Sequence, residues 1–212
     1  MMKYNGIYWN VFAPFIKTSI RNRYGEDVAK RSIKNGKKEY QRILQQADPI
    51  GDDNPMITNA YFAYVFVGAW LGSEKVISPE DMAEVMRDVL AKMKPFFGMV
   101  NLNSKKGSRK WYHDMKKYEK WYQKHGDEFP TTWQVGFDEE LHQDGSYYYF
   151  TCCPICHLMN KLGYSEIMPA LCSTDEDMFR YQHGVLHRNH TIAEGEEMCD
   201  YWVVGDQVRD PK

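Results

Sequence analysis

The sequence predicts an α+β fold: a helical N-terminal half packed on an antiparallel sheet of about four strands, which the C-terminal half forms. Two observations support this. Apolar residues recur at helical spacing through 1–128, and beyond Pro130 they alternate as in half-buried strands. The chain has 212 residues, 43% of them hydrophobic, which suits one domain. We therefore expect a single domain, 1–212, with a mainly helical part, 1–128, and a sheet with inserted helices, 129–205.

The first three predicted helices lie between Tyr8 and Gly72. Apolar spacing predicts a helix over 8–23 and another over 26–46, with Gly25 interrupting them. A third helix, about 56–72, contains the most apolar window of the sequence, "AYFAYVFVGAWL". Twelve apolar residues are too few to span a bilayer, so this helix is expected in a core and no membrane partner is expected.

Two further helices precede the predicted sheet. Ser78 followed by Pro79 and two acidic residues is typical of a helix start, and the spacing continues to about Lys94. A helix over 111–125 mixes lysines with aromatic residues. Because acidic residues interrupt that basic character and the net charge is -2, no nucleic-acid partner is expected.

Two hairpins are predicted in the C-terminal half. Strands over 131–139 and 146–151 flank the turn signal Asp144-Gly145, and a second hairpin turns around Glu194-Gly195. The remaining predicted elements are a helix over 154–162, one or two helical turns over 165–172, and the strands of the second hairpin over 185–193 and 198–204. The last eight residues are expected to fray.

Three of the five cysteines lie in the stretch "TCCPICH", where Cys153, Cys156 and His157 spell the haem-attachment pattern. No haem is expected, because covalent attachment normally follows export and no export signal is visible. A redox dithiol is not favoured either, since that motif normally lies early in an alternating β-α pattern. The expected compartment is the cytoplasm, where thiols stay reduced.

A thiol or metal site is the third interpretation. Cys153, Cys172 and Cys199 each lie at the end of a different predicted element, so they could converge on one end of the sheet. Three thiolates could hold zinc, which leaves the cofactor undecided between zinc and none. Buried cysteines also pack as small hydrophobic residues, and the sequence leaves both interpretations open.

Three sequence boxes stand out in the C-terminal third, between 151 and 200. They consist of Thr151, Cys153, Pro154, then Leu171, Cys172, Asp175, and then Arg188, Thr191, Ile192, Ala193, Gly195, Cys199 and Asp200. With these boxes the C-terminal third resembles the L-2-amino-thiazoline-4-carboxylic acid hydrolase family. Cys152, Cys156 and His157 lie outside these boxes, which assigns them to local packing.

The resemblance implies a hydrolase that opens a 2-aminothiazoline ring to N-carbamoyl-L-cysteine. Two mechanisms fit: Cys153 attacks as a thiolate while Asp175 steers protons, or Cys153, Cys172 and Cys199 hold zinc and a metal-bound water attacks. Cys172 and His190 are further catalytic candidates. For substrate binding the candidates are Arg188, whose planar guanidinium matches a carboxylate, and Thr191.

A fainter likeness to 4-vinyl-reductase-type small-molecule-binding domains supplies the alternative. That reading predicts a non-catalytic binding or sensor domain with a structural, cysteine-bound metal. In both readings the partner is a small molecule. The sequence does not indicate the oligomeric state.

Overall fold

The computed structural model describes residues 1–209, which form six α-helices and four β-strands. In chain order these are α1 (Gly6–Gln46), α2 (Ile57–Gly72), α3 (Pro79–Phe97), α4 (Lys110–His125), β1 (Gln134–Gly136), β2 (Ser146–Cys152), α5 (Pro154–Leu162), α6 (Met168–Tyr181), β3 (Gly184–His187) and β4 (Cys199–Gly205). The predicted fold class is confirmed: the helices lie mostly in the N-terminal half, and the C-terminal half forms a four-stranded antiparallel sheet.

The chain divides into two compact units. The first comprises Met1–Lys92 and Pro154–Thr174, and the second comprises Met93–Cys153 and the chain from Asp175 onward. Of the candidate site residues, Cys172 belongs to the first unit and all the others to the second. Whether the chain unfolds as the single domain expected from its sequence stays a prediction.

Helix α1 joins the two helices that the sequence predicted around Gly25. The side chain of Asn5 caps its first turn by accepting a hydrogen bond from the N–H of Ile7. Gly25 has φ 83° and ψ 172°, a conformation that L side chains rarely adopt, and it kinks the helix. The sequence signal for an interruption was therefore correct, although the backbone continues as a helix on both sides.

Helix α2 is the predicted apolar helix, and most of its residues are buried against α1 in the first unit. The two backbones approach closely, because a Cβ on Gly72 would lie 2.3 Å from the backbone nitrogen of Gly36. At the same contact the Ser32 hydroxyl donates to the carbonyl of Ala69 at 2.6 Å. Small residues thus set the distance between these helices.

The sheet has the strand order β1-β2-β4-β3, and each neighbouring pair is antiparallel. Both predicted hairpins exist, but β1 is shorter than its predicted 131–139. The face of β2 and β4 that carries Tyr148 and Val203 is buried, and Leu102, Phe179 and Val203 form a hydrophobic cluster of this unit.

Two predicted elements besides β1 had the wrong length. Strand β3 ends at His187 rather than at 193, because the Asp200 carboxylate binds the backbone N–H groups that follow and residues 192–194 form a 3₁₀ turn. Helix α6 continues to Tyr181 rather than ending near 172, since Phe179 packs in the core of the second unit.

The C-terminal segment is more ordered than expected, as far as the structure describes it. Gly205 belongs to β4, and the N–H of Asp206 donates to the carbonyl of His183 at 2.9 Å. The rest of the expected frayed tail, residues 210–212, lies outside the described residues. Within residues 1–209 no helix is long and apolar enough to cross a membrane.

Candidate functional site

One end of the sheet gathers most of the candidate residues of the second unit. Strand β4 is antiparallel to both β2 and β3, so its first residue lies at the same end as the last residues of those strands. Cys199 begins β4, Cys153 follows β2 and Arg188 follows β3. The strand pairing therefore brings Cys153, Cys199 and Arg188 to one end of the sheet, while the expected convergence of Cys172 with the other two cysteines stays a prediction.

Asp175 is the centre of a polar cluster near this end. Its Oδ2 atom accepts a hydrogen bond from Nη1 of Arg188 at 2.8 Å and another from the hydroxyl of Tyr201, also at 2.8 Å. The Arg188 side chain is only 10% exposed, while the Asp175 side chain keeps 29% of its surface exposed. The cluster is thus a largely desolvated ion pair with one face of the carboxylate open.

The two oxygens of the Asp175 carboxylate have different surroundings. The Arg188 guanidinium and the Tyr201 hydroxyl both donate to Oδ2, and 29% of the side chain stays exposed. A carboxylate held at one oxygen keeps the other for exchange of a proton with a bound molecule. This asymmetry is what a general acid–base catalyst requires.

The pKa of Asp175 lies above its ordinary value. Burial is the largest cause, since a desolvated carboxylate disfavours its charged form, and the positive charge of Arg188 and the hydrogen bonds from Tyr201 and Arg188 oppose it. Burial also raises the pKa of Tyr201 well above its usual range, with the charge of Asp175 as the next cause. Tyr201 is therefore a protonated donor throughout the physiological range.

Aromatic rings fix the position of Tyr201. The ring of Tyr148, its partner across β2 and β4, stacks on it at 5.2 Å with the planes 7° apart. Phe150 meets the same ring edge-on at 5.6 Å, and the Arg188 guanidinium carbon lies 5.4 Å from its centroid. These contacts leave the hydroxyl little freedom to move away from Asp175.

Asp200, which lies between Cys199 and Tyr201 in β4, binds the backbone of the loop after β3. Its Oδ1 accepts from the backbone N–H of Asn189 at 3.0 Å and from that of His190 at 2.7 Å. The Nδ1 atom of His190 lies 3.6 Å from the same oxygen, and half of the His190 side chain is exposed. His190 therefore lies beside a buried carboxylate, with most of its imidazole available to solvent.

The remaining candidates of this loop make local contacts. The N–H of Ile192 donates to the sulfur of Cys199 at 3.2 Å, and Cys199 is buried. The Thr191 hydroxyl donates to the Glu194 carboxylate at 2.8 Å, which stabilises the 3₁₀ turn 192–194. The structure thus gives Thr191 a role in the turn, while its predicted substrate contact stays a prediction.

The cysteines have unequal surroundings. Cys153, Cys172 and Cys152 are half-buried, whereas Cys156 is buried and burial raises the pKa of its thiol. His157 is exposed, and its Nε2 lies 3.2 Å from the Asp48 carboxylate in the first unit.

The predicted zinc site receives no support from these positions. Within residues 1–209, no group of three or more His, Cys, Asp and Glu side chains is placed to hold a metal ion. The ligand set Cys153, Cys172 and Cys199 therefore stays a prediction.

A comparison with protein families identifies the chain. The family described as L-2-amino-thiazoline-4-carboxylic acid hydrolase matches residues 58–203, more than half of the sequence. The chain belongs to this family. The matched segment contains the whole Asp175 cluster and every predicted site residue. No curated protein and no solved structure matches the chain.

The sequence alone did not indicate Tyr201 as part of this hydrolase-family site. Arg188 was expected to bind a substrate carboxylate, and the structure pairs it with Asp175 instead of leaving it for substrate alone. The available signal for Tyr201 was its position two residues after Cys199 in a strand, which places both side chains on one face of the sheet.

Proposed function

We propose that the protein hydrolyses a small cyclic amidine of the 2-aminothiazoline-4-carboxylate type by opening its ring. The observation that carries this proposal is the family match over residues 58–203, which spans the complete polar cluster. The half-exposed carboxylate of Asp175, with its raised pKa, adds a group suited to moving a proton.

In this proposal Asp175 acts first as a base and then as an acid. Oδ1 takes one proton from the attacking water as its oxygen bonds to the ring carbon between nitrogen and sulfur, and the second water proton goes to the ring nitrogen. The carbon–sulfur bond then breaks, and the sulfur leaves with the proton that Asp175 held. One water is consumed, and the product carries a urea group and a thiol.

Arg188 has two roles in this scheme. Its charge opposes the effect of burial on Asp175 and so keeps a larger fraction of the carboxylate ionised and able to accept a proton. Its guanidinium is also the cation of this cluster, which supports the earlier expectation that it attracts the substrate carboxylate.

Cys153 offers a second route to the same product. Its thiol would attack the ring carbon while the thiol proton goes to the ring nitrogen, and the ring sulfur would leave with a proton from protonated Asp175, which regains a proton from the exocyclic amino group. Water would then add to the resulting isothiourea, giving one proton to the imine nitrogen and one to the cysteine sulfur as the urea is released. Its position at the end of the sheet that carries Arg188 and Cys199 is compatible with this role. The two routes differ in whether a covalent intermediate forms.

The experiment is an assay of purified protein with 2-aminothiazoline-4-carboxylate. We expect thiol release, measured with a chromogenic thiol reagent, to equal the urea product measured by mass spectrometry. Ligand binding by calorimetry without any thiol release would contradict the proposal and favour the non-catalytic binding domain.

Two serine variants separate the water route from the thiol route. Through water, Cys153→Ser and the control Cys152→Ser retain similar turnover. Through the thiol, Cys153→Ser alone loses turnover, by more than about 100-fold, and the unaltered protein gains the mass of the substrate during a single turnover.

A further inference from the structure

We propose that Tyr201 is a positioning residue of this site, whose hydroxyl holds Oδ2 of Asp175 so that Oδ1 is the oxygen that exchanges the proton. The inference rests on the proposed hydrolase function for its catalytic meaning. The hydrogen bond from Tyr201, and its effect on the pKa of Asp175, can be tested without any substrate.

The first observation is the convergence of two donors on one oxygen. The hydroxyl of Tyr201 and the guanidinium of Arg188 both reach Oδ2 at 2.8 Å, and the hydroxyl itself lies 3.5 Å from Nη1 of Arg188. Two donors at the same atom fix the rotation of the carboxylate as well as its position. Oδ1 is then held at a defined place on the open side of the group.

The second observation is that Tyr201 is rigid and Asp175 is not held by its own helix. Tyr201 lies in the middle of β4, paired with Tyr148 on β2, and its ring is stacked on Tyr148 and half-buried. Asp175 lies on α6 and receives its two side-chain hydrogen bonds from outside that helix. The sheet therefore sets the position of the catalytic carboxylate.

Several titratable groups surround this carboxylate. Arg188, Tyr201 and, on α6, Glu176 shift its pKa, while Asp114 acts on the neighbouring Tyr148 and Cys199 on Tyr201. Burial raises the pKa of Tyr148 and of Tyr201 well above the usual range, so neither phenol changes its charge while Asp175 titrates. A change in the titration of Asp175 on removal of the Tyr201 hydroxyl therefore reports that hydroxyl directly.

The test is Tyr201→Phe, which keeps the ring that packs on Tyr148 and Phe150 and removes only the donor. Loss of a hydrogen bond to the ionised form raises the pKa of Asp175, by about one unit for a bond to a charged group. We expect the acidic limb of the pH profile of kcat/KM to move to higher pH by that amount. The same shift should appear in the NMR titration of the Asp175 carboxyl carbon in the protein without substrate.

Tyr148→Phe is the matched control, because it removes a neighbouring phenol hydroxyl that makes no hydrogen bond to Asp175. Its carboxyl titration should coincide with that of the unaltered protein. An unchanged titration in Tyr201→Phe would overturn the inference even if the enzyme is active. Conversely, a shifted titration in a protein that turns over no thiazoline would support the Tyr201 contact and reject the proposed function.

Discussion

Two carboxylate–guanidinium pairs in this protein have similar hydrogen bonds, but the pKa values of their aspartates are shifted in opposite directions. In the first compact unit, Asp88 accepts from Arg23 at 2.5 Å and from the Ser19 hydroxyl at 2.6 Å. In the second, Asp175 accepts from Arg188 and from the Tyr201 hydroxyl, both at 2.8 Å. Yet the pKa of Asp88 is lowered, chiefly by its bond to Arg23, and the pKa of Asp175 is raised, chiefly by burial.

The difference between the pairs is solvent exposure. The side chains of Arg23 and Asp88 are 29% and 47% exposed, against 10% and 29% for Arg188 and Asp175. Near water the attraction between the charges decides the pKa, whereas desolvation outweighs the same attraction at the less exposed pair. The Arg23–Asp88 pair therefore joins two helices, α1 and α3, whereas the Arg188–Asp175 pair is suited to acid–base chemistry.

The largest expected effect is on catalysis. Asp175→Asn keeps the shape of the side chain but cannot accept the proton, so kcat/KM should fall by about 100-fold to 10,000-fold. Asp88→Asn, and Glu176→Gln as the exposed neighbour on α6, should stay within about threefold of the unaltered enzyme. The measurement is thiol release at pH 7. Equal losses in Asp175→Asn and Asp88→Asn would show that the two pairs do not differ in function.

The next effect is on stability. Asp175→Ala leaves the Arg188 cation, 10% exposed, without its carboxylate, and should lower the free energy of unfolding by about 3 kcal/mol. Asp88→Ala breaks a more exposed pair and should cost about 1 kcal/mol or less. Urea unfolding at pH 7 measures both. A larger loss for Asp88→Ala would mean that exposure does not govern the strength of these pairs.

The smallest expected effect is the change in folding stability with pH, which should have opposite signs for the two pairs. The pKa of Asp88 is lower in the fold than in the unfolded chain, about 3.9, so its contribution to stability is present above that pH and is lost as the pH falls through the folded pKa. The pKa of Asp175 is higher in the fold, so protonation favours the folded state and stability increases as the pH falls through that value.

The Asn variants isolate these two directions. Between about pH 6 and pH 2, acidification should reduce the difference in the free energy of unfolding between the unaltered protein and Asp88→Asn. Over the same range, the free energy of unfolding of the unaltered protein should rise relative to that of Asp175→Asn. Thermal or urea unfolding at several pH values gives the two slopes. Slopes of the same sign would contradict the assignment of opposite pKa shifts.

Local signals explain the parts of the fold that the sequence predicted well. Pro154 at a helix start and Gly163 just past its end bound α5, and the structure has α5 at the predicted residues. Gly25 was read correctly as an interruption, because its backbone conformation is one that glycine adopts readily. Such features depend on a few neighbouring residues.

The parts of the fold that the sequence predicted wrongly depend on tertiary contacts. The end of β3 is set by Asp200, on another strand, and the length of α6 by burial of Phe179. In the same way Asp175, Arg188 and Tyr201 are separated by 13 residues at each step, and they meet only because β3 pairs with β4 and α6 packs against the sheet. A single sequence indicates two of these residues as family positions but gives no reason to connect them to Tyr201.

The most direct test of the contrast between the two pairs is to titrate both carboxyl groups in the same unaltered protein. The side-chain carboxyl carbons of Asp88 and Asp175 can be followed by NMR across the acidic range. The proposed difference in burial predicts that Asp88 titrates below, and Asp175 above, the value of an aspartate in an unfolded chain, about 3.9. If Asp175 titrates at or below the pH at which Asp88 does, burial does not dominate at the Arg188 pair and the acid–base role of Asp175 loses its physical basis.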